Sequence, residues 1–215
     1  GQTMEDFSQD LEESLTNDPN HLSLYGLEIH PGTTFFHDQQ IREMQSERSE
    51  LERELYLQAL HKTASMSLIQ YEVSNFAKAD FQSRSNLKVW DGQPYLGLGC
   101  GAHSFDGVNR WGNVRSMRKY MESVGREEPP RDFMETPTRL QQASERLMLS
   151  LRRPEGLNIL SWQEEFQIGL SLEQKNQMEK LKDQDLVSWE SPILKLTTEG
   201  MLLADAITAE LMPEA

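Results

Sequence analysis

Tyr71 to Ser104 reads YEVSNFAKADFQSRSNLKVWDGQPYLGLGCGAHS, the densest mix of strand signal, glycine and aromatic residues in the chain. Ile69 to Ser74 alternates apolar and polar residues with β-branched and aromatic side chains, which predicts a short strand. Asn75 and Ala77 follow where such a strand hands its C-terminal end to a loop. SNLKVW (Ser85 to Trp90) and the hairpin-prone pair Asp91-Gly92 then lead into Tyr95 to Ser104. There Gly97, Gly99 and Gly101 stand at alternate positions, which in an extended backbone strips one face of side chains. A stripped face lets a large, flat group come close, and tight strand packing or a bend uses the same pattern.

Working outward, the N-terminal side has a helix-strand rhythm. Thr3 followed by Asp6 predicts an N-cap, and Phe7, Leu11 and Leu15 repeat at helical spacing until Asn17-Asp18-Pro19. His21 to Ile29 alternates as a strand, and Pro31-Gly32-Thr33 turns the chain. Gln39 to Met66 reads as one long helix with Leu51, Leu55, Tyr56, Ala59 and Leu60 on its apolar face and mixed charges opposite. Helix, strand, helix, strand and a glycine-rich segment make the rhythm of parallel βα units, an α/β class. An α/β repeat that opens in mid-unit, with no initiator methionine, reads as a fragment.

On the C-terminal side a short helix is expected around Ser116 to Val124. GREEPPRD, opening at Gly125, is the best linker candidate, so residues 1–124 form one domain, 125–135 a linker and 136–215 a second domain. Leu140, Ala143, Leu147 and Leu151 predict an amphipathic helix whose basic end, Arg152-Arg153, suits the helix dipole. Helices over Leu157 to Phe166 and Ser171 to Lys182, a hairpin around Ser191-Pro192 and a last helix through Leu211 give a small winged-helix-like α+β module.

The chain has 215 residues, 37 % hydrophobic and 26 % charged, which fits a soluble globular protein of one large or two small domains. A net charge of −14 argues against nucleic-acid and anionic-membrane partners. No apolar run is long enough for a membrane span. The single cysteine, Cys100, excludes an internal disulfide, suits a reducing cytoplasm, and cannot hold an iron–sulfur cluster, which takes three or four thiolates. Between glycines it reads as a small buried thiol. His21, His30, His37 and His61 show no paired metal spacing, so no metal site is expected.

HLSLYGLEIHPGT, YEVSNFA, SNLKVW, YLGLGCGAHS, and LMLSLRRPEGLN followed by LTTEGMLL occur in this order. Together they resemble the oxygen-independent coproporphyrinogen III oxidase-like radical SAM family, with the HemW-type heme chaperones as the nearest branch. The resemblance runs from Gln2 to Leu211. It implies the C-terminal half of a radical SAM (βα) barrel followed by the small winged-helix-like domain. It also implies S-adenosylmethionine and a [4Fe–4S] cluster in the full-length protein, with the cluster cysteines upstream of this chain. The partners expected are the missing N-terminal barrel half and a small-molecule porphyrin or heme, in the cytoplasm.

By order of motifs, Glu28 and His103 resemble family positions that line the barrel near S-adenosylmethionine, while a strand-end carboxylate in solvent and a structural imidazole remain open readings. The heme chaperones carry HNxxYW, which stands here as Ser85-Asn86-Leu87-Lys88-Val89-Trp90. Asn86 and Trp90 match; serine replaces the histidine, a poor iron ligand for a good one, and valine the tyrosine. The binding residues implied are therefore Glu28, Asn86, Trp90, Gly97, Gly99, Gly101 and His103, with no catalytic residue assigned. Two functions stay open: part of a radical SAM protein of porphyrin metabolism, inactive alone, or a standalone binding or scaffold protein that has lost the radical chemistry.

Overall fold

The computed structural model describes residues 2–38 and 49–213. The described chain is mixed α/β and divides into two compact units between Gln82 and Ser83.

The first unit opens with α1 (Met4–Thr16). Its cap is the predicted one: the Thr3 hydroxyl accepts the Asp6 amide and the Asp6 carboxylate accepts the Thr3 amide. Strand β1 (His21–Ser23), the single turn α2 (Thr34–His37) and α3 (Ser49–Ser65) follow. The expected helix start at residues 39–48 lies outside the described residues. Strands β2 (Ile69–Glu72) and β3 (Asn75–Ala77) complete the unit. Leu11 and Leu15 of α1, Ala59 of α3, Leu68 and Phe76 form its buried core.

The sheet differs from the parallel arrangement expected. The chain reverses at Val73-Ser74, so β3 lies between β1 and β2 and pairs antiparallel with both. The reversal is held by Glu72, whose Oε1 accepts the Ser74 amide at 2.9 Å and the Asn75 side-chain amide. Glu72 and Asn75 are 2 % and 4 % exposed, so this polar pairing is obligatory once the turn is buried. Strand β1 is shorter than the predicted 21–29 because its pairing partner β3 is itself three residues long.

The second unit begins with α4 (Arg84–Trp90), capped by Ser83. Asp91-Gly92 is the end of this helix rather than a hairpin turn, with Gly92 at φ +66°. Strands β4 (His103–Phe105), β5 (Arg110–Asn113) and β6 (Arg131–Glu135) form a second antiparallel sheet, with α5 (Met117–Gly125) between β5 and β6. The segment read as a linker thus supplies an edge strand. Phe133 of β6 lies over Gly112, where any Cβ would collide with its ring.

Helices α6 (Arg139–Leu151), α7 (Ile159–Phe166) and α8 (Leu172–Asp183) surround a buried centre of Leu147, Leu151, Trp162, Met178 and Leu194. Strand β7 (Leu157–Asn158) joins the predicted hairpin of β8 (Val187–Glu190) and β9 (Ile193–Leu196). The last helix is broken at Leu203 into α9 (Thr198–Leu202) and α10 (Ala204–Leu211). Side-chain contacts link residues before and after 125–135. Arg110 of β5 pairs with Glu145 of α6, and Arg146 and Arg153 reach back to Asp91. No described helix is long and apolar enough to cross a membrane.

Candidate functional site

The predicted binding residues fall into three places. Glu28 belongs to the first unit, on an exposed irregular segment, with its Oε2 3.2 Å from His30 Nε2. Asn86 and Trp90 lie half-buried on α4, and the Arg152 guanidinium sits 5.8 Å from the Trp90 ring centre. The three glycines and His103 belong to the stretch that enters β4.

That stretch is not an extended strand with a bare face. Gly99 and Gly101 have φ of +100° and +70°, so the chain bends through the left-handed region that glycine enters without penalty. Gly97 is required for another reason: a Cβ there would strike the carbonyl of His103. The bend is fastened by side chains. Ser104 Oγ accepts the Gly97 amide at 2.9 Å, and Tyr120 of α5 accepts the Gly99 amide at 3.1 Å. Asn113 Nδ2 donates to the Gly99 carbonyl at 2.9 Å. Cys100 within the bend is half-buried, short of the fully buried thiol expected, because the segment is a surface turn rather than a barrel wall.

Beyond the bend, His103 lines an open cleft of about 370 Å³, within the roughly 300–1,000 Å³ of small-molecule sites. Val89 and Tyr95 form one side, Phe105 and Arg110 the sheet, and Glu145 and Met148 of α6 the other side. His103 packs edge-on against Phe133 with ring centres 5.5 Å apart, and Tyr95 and Phe105 lie 6.5 Å apart. Arg110 Nη2 donates to Glu145 Oε2 at 2.6 Å, while Glu135 lies 3.8 Å from Nη1. The Glu145 hydrogen bond, opposed by burial, holds the guanidinium above its already high ordinary value.

Of the predicted residues only His103 lines this cleft. Tyr95, Phe105, Arg110 and Glu145 were not singled out from sequence, and no local signal joins residues 35 positions apart such as Arg110 and Glu145. The arrangement offers an aromatic and aliphatic floor, one imidazole and one guanidinium, which suits an apolar ligand with a polar edge.

No protein-family profile matches the chain. It is 29 % identical to the heme chaperone HemW of Bacillus subtilis, over all of this chain and 56 % of that protein. The mitochondrial radical S-adenosyl methionine domain-containing protein 1 of Danio rerio is 28 % identical, with 100 % of this chain and 51 % of that protein aligned. The solved structure of coproporphyrinogen III oxidase (HemN) from Escherichia coli, described as a radical SAM enzyme, superposes with a TM-score of 0.73 at 16 % identity. That match covers 98 % of this chain and 52 % of HemN, and it shows a shared fold. The chain spans about half the length of the curated relatives it matches. The chain is thus similar along its whole length to about half of the HemW heme chaperones, and it shares its fold with about half of HemN.

Proposed function

We propose that this chain is the C-terminal portion of a radical SAM protein that handles heme or another porphyrin, and that it has no radical activity by itself. The observation that carries this reading is the end-to-end alignment with HemW of Bacillus subtilis. In this reading residues from Thr136 onward form the winged-helix-like module. The whole protein would use S-adenosylmethionine and a [4Fe–4S] cluster, the cluster supplying electrons for cleaving S-adenosylmethionine. This chain's own residues do not fit the cluster. Cys100 is its only cysteine, and the described residues contain no group of three His, Cys, Asp or Glu side chains able to hold a metal.

Porphyrin binding falls to the second unit. The cleft presents aromatic side chains of Tyr95 and Phe105 and the imidazole of His103. Trp90, Asn86 and the glycines 97, 99 and 101 are the further binding residues proposed, with Glu28 directed to S-adenosylmethionine. Titration of the chain with hemin tests the reading. Binding is expected to be weak in the native sequence, where Ser85 stands at the histidine position of HNxxYW. Ser85→His should strengthen it and move the Soret band toward an imidazole-ligated form, and His103→Ala should weaken it. Three identical titrations would remove both positions from the iron and defeat the heme reading.

A further inference from the structure

Resting on that reading, we propose that Arg110 anchors a carboxylate of the ligand in the cleft, with Glu145 holding its place in the unliganded chain. Arg110 is the one permanent cation among the cleft's lining residues, and it stands beside the Phe105 ring, 6.0 Å from its centre. A planar apolar ligand lying over Tyr95 and Phe105 would therefore bring its edge to the guanidinium.

The hydrogen bonding of Arg110 leaves room for this. Among the described residues, only Nη2 of the guanidinium makes a hydrogen bond, to Glu145, and Glu135 at 3.8 Å from Nη1 is beyond hydrogen-bond reach. The guanidinium has five donors in a fixed fork, so a single-point contact can be exchanged for a two-point one with a ligand carboxylate. The exchange has an opposing cost. Glu145 and Glu135 together outnumber the charge of Arg110, so an anionic ligand gains most when Glu145 withdraws. At about one-third exposure, the Glu145 side chain can turn to water without being left buried and unpaired.

Metal-free protoporphyrin IX and its dimethyl ester separate this contact from iron ligation. Tryptophan-fluorescence titrations would be run on the full chain, Arg110→Gln, Arg110→Lys and Glu145→Gln, each checked by its thermal melt. The native chain should bind the diacid about ten-fold more tightly than the diester, as expected of one charge-assisted pair. Glu145→Gln should raise diacid affinity several-fold and leave the diester unchanged. Arg110→Gln should abolish the preference, and Arg110→Lys, which keeps the charge but not the fork, should retain part of it. A diacid affinity unchanged or lowered in Glu145→Gln, or a preference surviving in Arg110→Gln, overturns the anchor while leaving porphyrin binding intact. If the native chain binds neither compound, the porphyrin reading itself fails, and the anchor with it.

Discussion

The ring of Phe133 covers Gly112 so closely that the second sheet is closed by the absence of a side chain at position 112. The same ring meets His103 edge-on at 5.5 Å, so a backbone requirement in β5 is transmitted to the imidazole in the cleft. Gly112→Ala should cost about 1–3 kcal/mol in urea unfolding, the range of overpacking, and toward the low end because Phe133 is 40 % exposed and can swing out. In a Phe133→Ala background the same substitution should cost little. Equal costs in the two backgrounds would show that the ring is not the obstacle.

The C-terminal module should depend most on Trp162. It is 2 % exposed and donates its indole N–H to the Ala143 carbonyl at 3.0 Å, joining α7 to α6. Trp162→Ala should destabilise the unit by about 3–5 kcal/mol, through lost burial and an orphaned carbonyl. Trp162→Phe should cost less. A native-like melt for Trp162→Ala would contradict this placement of the core.

Acid should loosen the β4–β5 connection. The Asp106 carboxylate accepts the backbone amides of Asn109 and Val108, which hold it below the ordinary carboxylate value. A carboxylate depressed on folding contributes stability that is present above its unfolded value and is lost as pH falls through the folded one. Asp106→Asn should therefore flatten the acid limb of the stability profile. An unchanged acid limb would show that these hydrogen bonds are not formed in solution.

How much of this was legible in the sequence differs from place to place. The Thr3–Asp6 cap, α6 and the β8–β9 hairpin are local features written in short-range spacing, and the chain forms them where expected. The antiparallel first sheet was not legible, because its reversal depends on Glu72 folding back onto Ser74 and Asn75, a contact no periodicity reports. Glycine at 97, 99 and 101 flagged an unusual backbone, but alternation could not tell a bare strand face from a bend with positive φ. Strand β6 was not legible for a similar reason. Arg131 to Glu135 is exposed throughout and lacks a buried alternation, yet it pairs because Gly112 admits Phe133. The cleft joins α4, the second sheet and α6, so its aromatic floor and Arg110–Glu145 pair exist only after folding.

Anaerobic reconstitution of the purified chain with iron and sulfide should yield no cluster within a monomer. Cys100 supplies one thiolate where three or four are needed. Stoichiometric iron and sulfide with a cluster absorption band in a monomeric fraction would contradict this.

The most direct test is to map a porphyrin onto the chain by backbone amide NMR. In a ¹H–¹⁵N titration with protoporphyrin IX, the account predicts concerted shifts at Tyr95, His103, Phe105 and Arg110, with the α1–β1 region of the first unit unmoved. Shifts confined to residues 2–82, or no shifts at all at saturating porphyrin, would contradict it.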